Sequence, residues 1–402
     1  MMAAIPMSLL LAGTATSQST VDNTQVQLGD VFATGTLNVV TNTGDTMAVT
    51  TATGNGLTGS VVSGGVVIQS TQSSAAAIAA QSTINVANDA GPSLTSTTAA
   101  TGNTGDAGIS GGGTLSGAFV QTTSGGPITG EDQINGADAQ TVDAAQAVQA
   151  IGASQGFGAT DSTVNATVSQ TNGADTTANG GTVYGFVADQ GSFSAAAVGN
   201  NVTSVGVGNS TQTLGVTQRN TGALVQGAQF TNLGNSQDTN TSATATANNF
   251  NATNEQGAFT VGVDQGNDAF VHAQSVETSF EFGGATVSAY GVGNSTFAGN
   301  AGPSINLTNT QVNGAGGVES TASFTGDNGF DAFTSATAMG NAATGYACST
   351  CGGVMSVHNS QTNNGDAAAT ATTSITTSAR SVRGTSTAVG NNASFYVTQP
   401  GN

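Results

Sequence analysis

One pattern recurs along almost the whole chain at intervals of 46 to 50 residues. It consists of alternating small residues that are followed, in most copies, by Gly-Asn. Successive copies lie 48, 50, 47, 48, 46, 47 and 50 residues apart, and this small drift predicts one structural unit repeated along the chain. The copies end at Asn55, Asn103, Ala153, Asn200, Asn248, Asn294, Asn341 and Asn391.

A second motif keeps the same period. It is a short alternating segment that ends in Gln, usually with Asn and Gly just after it. Its copies end at Gln72, Gln121, Gln170, Gln218, Gln265, Gln311 and Gln361, and Gln25 or Gln27 would extend the series towards the N-terminus. A third, weaker segment recurs at 223–230, 269–275 and 317–324. Alternation with a period of two predicts β-strands with one face inward, and the Gly and Asn residues between them predict tight corners with positive φ.

Together these motifs predict an all-β fold, a right- or left-handed β-solenoid (parallel β-helix) built from eight repeats of about 48 residues. We expect each repeat to form two coils of about 24 residues, which gives a rod of roughly 75–80 Å at ~4.8 Å per stacked strand. Asn and Gln at repeated positions are expected to form hydrogen-bonded ladders along the rod. A β-propeller is the alternative, but its blades usually carry more aromatic residues than the 16 Phe and 4 Tyr found here.

The charge of the chain excludes several classes of partner. It has 3 Lys+Arg, all of them Arg, against 22 Asp+Glu, for a formal net charge of −19. Binding to a nucleic acid requires cations that neutralise phosphates, so no nucleic-acid partner is expected. Docking on anionic lipid is disfavoured for the same reason.

The first residues, MMAAIPMSLLLAGTATS, predict a signal peptide over 1–17 with cleavage before Gln18, although the usual positive charges are missing. The remaining 18–402 are expected to form the β-solenoid repeat domain. This division predicts export to the outer-membrane surface or the extracellular space. The alternative for the same segment is a buried N-terminal strand or helix. No other apolar run approaches ~20 residues, so no transmembrane helix is expected.

Few residues suggest chemistry. Cys348 and Cys351, the only cysteines, are a disulfide candidate in a loop insertion. His272 is expected at a variable outward position. Most carboxylates are expected to cap turns; calcium bound between coils is the weaker alternative, with Asp264 and Asp268 as its best candidates. No catalytic, cofactor-binding or metal-binding residue is assigned, and the chain is not expected to be an enzyme.

The A-x-A-x-G-N and V-x-Q-x-N-G units, in a chain rich in Gly, Asn, Gln, Ala and Thr, resemble the HfaD family of holdfast-anchoring proteins. The chain is more loosely similar to curlin-type subunits, whose repeats place Gln and Asn in stacked β-arches, although the unit here is about twice as long. The HfaD resemblance implies that the protein fixes an adhesive polysaccharide to the cell envelope, together with an amyloid-like subunit and an outer-membrane secretion pore. The implied partners are therefore proteins of an adhesin-anchoring complex and the polysaccharide, with homo-oligomers or fibres as a further option.

Two other functions stay open. A secreted β-helix could bind or cleave polysaccharides, although cleavage in such proteins often requires cations that are scarce here. Ice binding by threonine rows is suggested by TATTSITTS at 370–378, but it would require a flat threonine face through many coils.

Overall fold

The computed structural model describes residues 7–12, 18–348 and 353–398, and these residues form β-strands joined by short corners, with no helix among them. The first ten strands are β1 (Met7–Ala12), β2 (Gln18–Gln27), β3 (Val31–Thr41), β4 (Thr46–Val62), β5 (Gly65–Ser74), β6 (Ile78–Asp89), β7 (Ser93–Ser110), β8 (Thr114–Thr123), β9 (Ile128–Thr141) and β10 (Asp143–Thr160). The next ten are β11 (Thr163–Asn172), β12 (Thr176–Val207), β13 (Thr211–Asn220), β14 (Leu224–Asn254), β15 (Phe259–Asn267), β16 (Phe270–Asn300), β17 (Ser304–Asn313), β18 (Val318–Cys348), β19 (Val354–Asn363) and β20 (Ala367–Thr398).

All strand pairs are parallel, and they form two sheets. Sheet B contains eight strands in the spatial order β19-β17-β15-β13-β11-β8-β5-β2. Sheet A contains the other twelve strands. Each interior strand pairs with its equivalents one turn before and one turn after, which is the arrangement of a parallel β-solenoid. The predicted fold class is therefore confirmed, and the propeller alternative, which requires antiparallel blades, is wrong.

Each turn contains three segments. A strand of sheet B is followed by a first segment of sheet A and then by a second segment of sheet A. The first half of this second segment faces the first segment, and its second half faces the sheet B strand. In early turns the two sheet A segments are separate strands, such as β9 and β10. From β12 onwards they belong to one extended strand that folds back on itself, so that a Cβ on Gly227 would meet the carbonyl of Thr244 in the same strand, β14.

The turn is flat and has two layers. The first half of β7 packs on β6, where the hydroxyls of Ser82 and Ser96 lie 3.3 Å apart. The second half of β7 packs on sheet B, where Asn103 donates a hydrogen bond of 2.8 Å to the carbonyl of Thr122. At ~3.3 Å per residue, the 18 residues of β7 make the turn about 60 Å wide. The eight strands of sheet B, at ~4.8 Å spacing, make the stack only about 34 Å high.

The expectation of two coils per repeat is wrong. The register aligns Gln72 with Gln121 and Asn55 with Asn103, so each residue stacks on its equivalent one whole repeat away. One turn therefore uses the full repeat, and the molecule is a broad slab rather than a rod of 75–80 Å. Two coils per repeat would have stacked the Gln motif on a different motif, which would have interrupted both rows of amides.

The core consists of small apolar side chains in register. Ala52, Ala100, Ala150, Ala197 and Ala245 form one buried column through successive turns. Alanine fits here because the two layers lie close together, and a column of larger side chains would collide with the facing layer. Larger apolar residues pack at other positions of the core, as with the edge-to-face pair Phe119 and Phe157, whose ring centroids are 5.1 Å apart.

Two sequence predictions concern segments that are described only in part. Residues 1–6 and 13–17 of the predicted signal peptide lie outside the described residues, whereas Met7–Ala12 form β1, which pairs with Leu57–Val62 of β4. Cys348 is buried, and Cys351 lies outside the described residues, so their pairing stays a prediction. Nor do the described residues include a helix with the length and hydrophobicity that a bilayer crossing requires.

Candidate functional site: buried amide ladders

The Gln that lies two residues before the end of each sheet B strand points inward, and these Gln residues form one continuous ladder. Each Gln donates a hydrogen bond from Nε2 to Oε1 of the Gln one turn earlier, over 2.7–2.9 Å. The other Nε2 hydrogen goes across the core to a backbone carbonyl of sheet A, over 2.8–3.0 Å. The members are Gln25, Gln72, Gln121, Gln170, Gln218, Gln265, Gln311 and Gln361.

The Asn of the Gly-Asn motif forms a second ladder in the facing layer, and it runs in the opposite direction. Each Asn donates from Nδ2 to Oδ1 of the Asn one turn later, over 2.7–2.9 Å. Its other hydrogen goes to the carbonyl of the residue after the Gln, over 2.8–3.0 Å. The members are Asn55, Asn103, Asn200, Asn248, Asn294, Asn341 and Asn391.

The Asn ladder is interrupted once, where Ala153 occupies the position of the amide. Asn103 then has no Oδ1 in the next turn, and its Nδ2 donates instead to the hydroxyl of Thr123 over 3.1 Å. On the other side, Oδ1 of Asn200 is buried without a hydrogen-bond partner among the described residues. The interruption therefore leaves an acceptor unsatisfied, which normally costs about 1–3 kcal/mol.

The residue before each ladder Asn, which is Gly in every copy except Ala247, does not make a corner, contrary to the sequence prediction. Gly102, Gly293 and their equivalents lie within long strands, and none of the described glycines with positive φ occupies this position. A Cβ on Gly293 would lie 2.4 Å from Oδ1 of Asn313 and 2.5 Å from the carbonyl oxygen of Gly340. Glycine is favoured at most of these positions because the stacked backbone and a facing side chain approach closely, although Ala247 occupies the equivalent position in β14.

A third row of amides lies at the corner between sheet B and sheet A, and the sequence analysis did not recognise it as a ladder. Its members bond to one another over 2.8–3.3 Å. Several also donate to a carbonyl of the corner two residues on, which fixes the corner geometry. The signal in the sequence was the Asn two residues after the Gln in the last five copies of the Gln motif. The members are Asn172, Asn220, Asn267, Asn313 and Asn363.

Two carboxyls are buried away from the ladders, between the first and second segments of sheet A. Asp132 accepts hydrogen bonds from the hydroxyls of Ser96 (2.6 Å) and Thr98 (2.9 Å). Burial raises the pKa of Asp132 above its ordinary value, against the opposing effect of these hydrogen bonds.

Glu277 is the second buried carboxyl. It accepts hydrogen bonds from the hydroxyls of Thr239 (2.5 Å) and Thr241 (2.6 Å). Burial raises the pKa of Glu277 to about 7, although both hydrogen bonds act to lower it. The alternating pattern of β16 places this residue inward, which is the signal that could have identified it from the sequence.

The outer faces are mostly neutral, with hydroxyl and amide side chains, and most carboxylates lie near the corners. Asp264, a calcium candidate, pairs with Arg219 over 2.5 Å, while Asp268 lies at the next corner, so calcium binding stays a prediction. His272 is on the outer face in register with Gln226 and Glu319, as expected for a variable position.

The fold and its ladders define a class: a parallel β-solenoid whose facing layers are joined in nearly every turn by buried amides. Residues 40–317 match the family model of holdfast attachment protein D, HfaD. The chain belongs to the HfaD family, as its repeat units suggested. Comparison with curated proteins and with solved structures gives no match.

Proposed function

We propose that this protein is a cell-surface structural component that anchors an adhesive polysaccharide, the holdfast, to the bacterial envelope, through stacking of its repeats and assembly. Membership of the HfaD family carries the attachment role. The same membership supports an exported location. The observation in the structure that best supports a tether is the Gln ladder, which continues through every strand of sheet B.

The geometry suits a protein that must withstand tension. Separating two turns requires the simultaneous loss of the backbone ladders of sheet A and sheet B and of the buried amide bonds between them. A buried amide that loses its partner costs about 1–3 kcal/mol. Load would therefore be shared across a turn about 60 Å wide, rather than carried by one contact.

A structural role is also supported by where the two carboxyls with raised pKa values lie. Asp132 and Glu277 are fully buried and bonded to hydroxyls, so neither can reach a substrate. We propose that the protein acts without catalysis, and that its partners are the polysaccharide and other surface or secretion proteins of the anchoring complex.

The test is a clean deletion strain in which the polysaccharide is stained on cells and in the spent medium. The proposal expects normal synthesis with shedding into the medium, and restoration of attachment by the wild-type gene. Retention of the polysaccharide on deletion cells at normal strength would contradict the anchoring role.

Direct polysaccharide binding is a second candidate, favoured by a depression of about 490 Å³ on the outer face of sheet A. Gly181 leaves a gap there between the amide of Gln133 and the exposed ring of Phe230, with the carboxylate of Glu131 at its rim. An aromatic ring beside amide and carboxylate groups can stack on a sugar and bond its hydroxyls.

The depression can be tested by measuring how much purified polysaccharide the protein retains. Phe230→Ala is expected to weaken retention at least fivefold, whereas Phe280→Ala, which removes another exposed ring, should leave it unchanged. Equal retention by both variants would exclude this surface. Release of sugar fragments would instead indicate a cleaving β-helix.

A further inference from the structure

The described strands leave two edges of the stack unpaired. At one edge, β2 and β3 pair on one side only; at the other, β19 and β20 do. Among the described residues, only β1 covers part of the first edge, along Leu57–Val62. Unpaired strand edges of this kind are templates for pairing with another chain.

The apolar core is also open at both edges. Of the core side chains that are only partly buried, nearly all lie in the outermost turns. At the first edge they include Val21, Val31 and Leu37, and at the last edge Val357 and Ile375. Each lies in register with a buried column of the interior, so a further turn stacked on either edge would complete its burial.

The ladders give the two edges complementary hydrogen-bonding groups. Because the Gln ladder donates towards the N-terminal edge, the second Nε2 hydrogen of Gln25 and Oε1 of Gln361 have no partner among the described residues, one at each edge. The Asn ladder runs the other way, so in the part of the chain that the structure describes no group donates to Oδ1 of Asn55 and none accepts from Nδ2 of Asn391. Each edge therefore offers one amide donor and one amide acceptor, at positions that match the opposite group on the other edge.

The charges of the edges match in the same register. Arg380 lies at the C-terminal edge and pairs with Asp331 of the preceding turn over 2.8 Å. Asp331 is aligned with Ser381, and the stacked column that contains them begins in the first turn at Asp45. A second chain stacked in register on the C-terminal edge would therefore place its Asp45 beside Ser381 and next to Arg380. Like charges do not meet in this column.

We propose that the partner of each edge is a second copy of this chain, whose N-terminal edge (β2, β3 and the first part of β4) stacks in register on the C-terminal edge (β19 and β20) of the first. This inference rests on the proposed assembly and specifies its interface and polarity. Both ladders and the core columns continue across the junction. Since the contact is heterologous and does not close, copies add in one direction into a filament, with one chain per ~38 Å. β1 occupies part of the same edge, so removal of residues 1–17 would make the whole edge available.

The test blocks one edge at a time. Gln25→Lys and Gln361→Lys each place an inward-pointing charge on one edge strand, which natural sheets use to prevent edge pairing. The full chain is expressed with its own N-terminal segment, recovered after export, and sized by light scattering and electron microscopy. Wild type is expected to form filaments, and each variant alone is expected to stay monomeric.

The decisive sample is the equimolar mixture of the two variants. The intact C-terminal edge of Gln25→Lys fits the intact N-terminal edge of Gln361→Lys, so the mixture should form a species of twice the mass of one chain and nothing larger. Thr24→Lys and Ser360→Lys add the same charge to the same strands on the outer face, and should assemble as wild type does.

Filaments from either blocked variant alone, a mixture that stays monomeric while wild type assembles, or a wild type that stays monomeric would each overturn the proposed interface. None of these results decides the anchoring role, which the deletion strain tests independently. Shedding in that strain, with no filaments in the sizing experiment, would retain the function and reject only the interface.

Discussion

The two halves of each turn satisfy their buried polar groups in different ways. Between sheet B and the second half of the sheet A strand, amides recur in almost every turn and bond to one another. Between the two segments of sheet A, Asp132 and Glu277 each occur once and bond to nearby hydroxyls. An amide carries both a donor and an acceptor, so it can stack on itself indefinitely. A carboxylate only accepts, and a column of carboxylates would repel itself.

The same difference predicts that substitutions of the stacked amides between sheet B and the second half of the sheet A strand are poorly tolerated. Replacing one amide affects both neighbours in the column, as the gap at Ala153 shows through Asn200. Replacing an isolated carboxyl affects only the groups that donate to it, which for Asp132 are the hydroxyls of Ser96 and Thr98 and the amide of Gln146. The four predictions below concern this contrast.

The largest effect is expected from Gln218→Met, which keeps the volume but removes three hydrogen bonds. Gln218 donates to Gln170 and to the carbonyl of Asn249, and accepts from Gln265. Leaving these groups unsatisfied should lower the free energy of unfolding by about 3–5 kcal/mol, measured by denaturant titration. Gln149→Met on the outer face is the control, and a similar small loss for both variants would refute the importance of the ladder.

Glu277→Gln should change how stability depends on pH. Because the pKa of Glu277 is raised to about 7, the folded protein keeps a proton that the unfolded chain releases from about pH 4.5. Below pH 4.5 the protonated carboxyl of Glu277 therefore contributes its full stabilisation. This contribution, which is on the order of 3 kcal/mol, is lost as the pH rises to about 7. The variant should be more stable than wild type at pH 8 and similar at pH 4.5; unfolding titrations at both pH values that show equal differences would contradict this.

Ala153→Asn should restore the interrupted ladder. The new amide would accept from Asn103 and donate to the unpaired Oδ1 of Asn200, so we expect a gain of about 1–2 kcal/mol in the free energy of unfolding. Ala147→Asn, on the outer face of the same strand, is the matched control and should gain nothing. A loss of stability for Ala153→Asn would show that the column has no room for the amide.

The smallest effect is expected for an amide row on the outside. Asn38, Asn85 and Asn135 bond in succession over 2.8 and 3.0 Å on the outer face of sheet A. Asn85→Ala should change the free energy of unfolding by less than about 0.5 kcal/mol, since water replaces the lost bonds. A loss as large as that of Gln218→Met would mean that burial does not determine how much an amide ladder contributes to the free energy of unfolding.

Much of this architecture was predictable because each repeat stacks on its equivalent. The positions of Gln218 and Asn248, for example, are clear from spacing alone, since a residue that stacks on itself must recur at the period of the turn. The all-β class follows equally directly from alternation. The buried state of Glu277 was not recognised, because its position is occupied by Thr231 and Phe324 in the adjacent turns and therefore has no repeated signature.

The sequence by itself determined the period, the strands, the inward faces and the residues of the two main ladders, because these depend on local alternation and on self-stacking. Only the tertiary structure decided that one turn uses the whole repeat, that Gly102 lies in mid-strand against the backbone of Gly152, and that the two ladders run in opposite directions. These features depend on which layers face each other and how closely. Distances between segments that are far apart in the chain are set by packing, and the period of a sequence does not specify them.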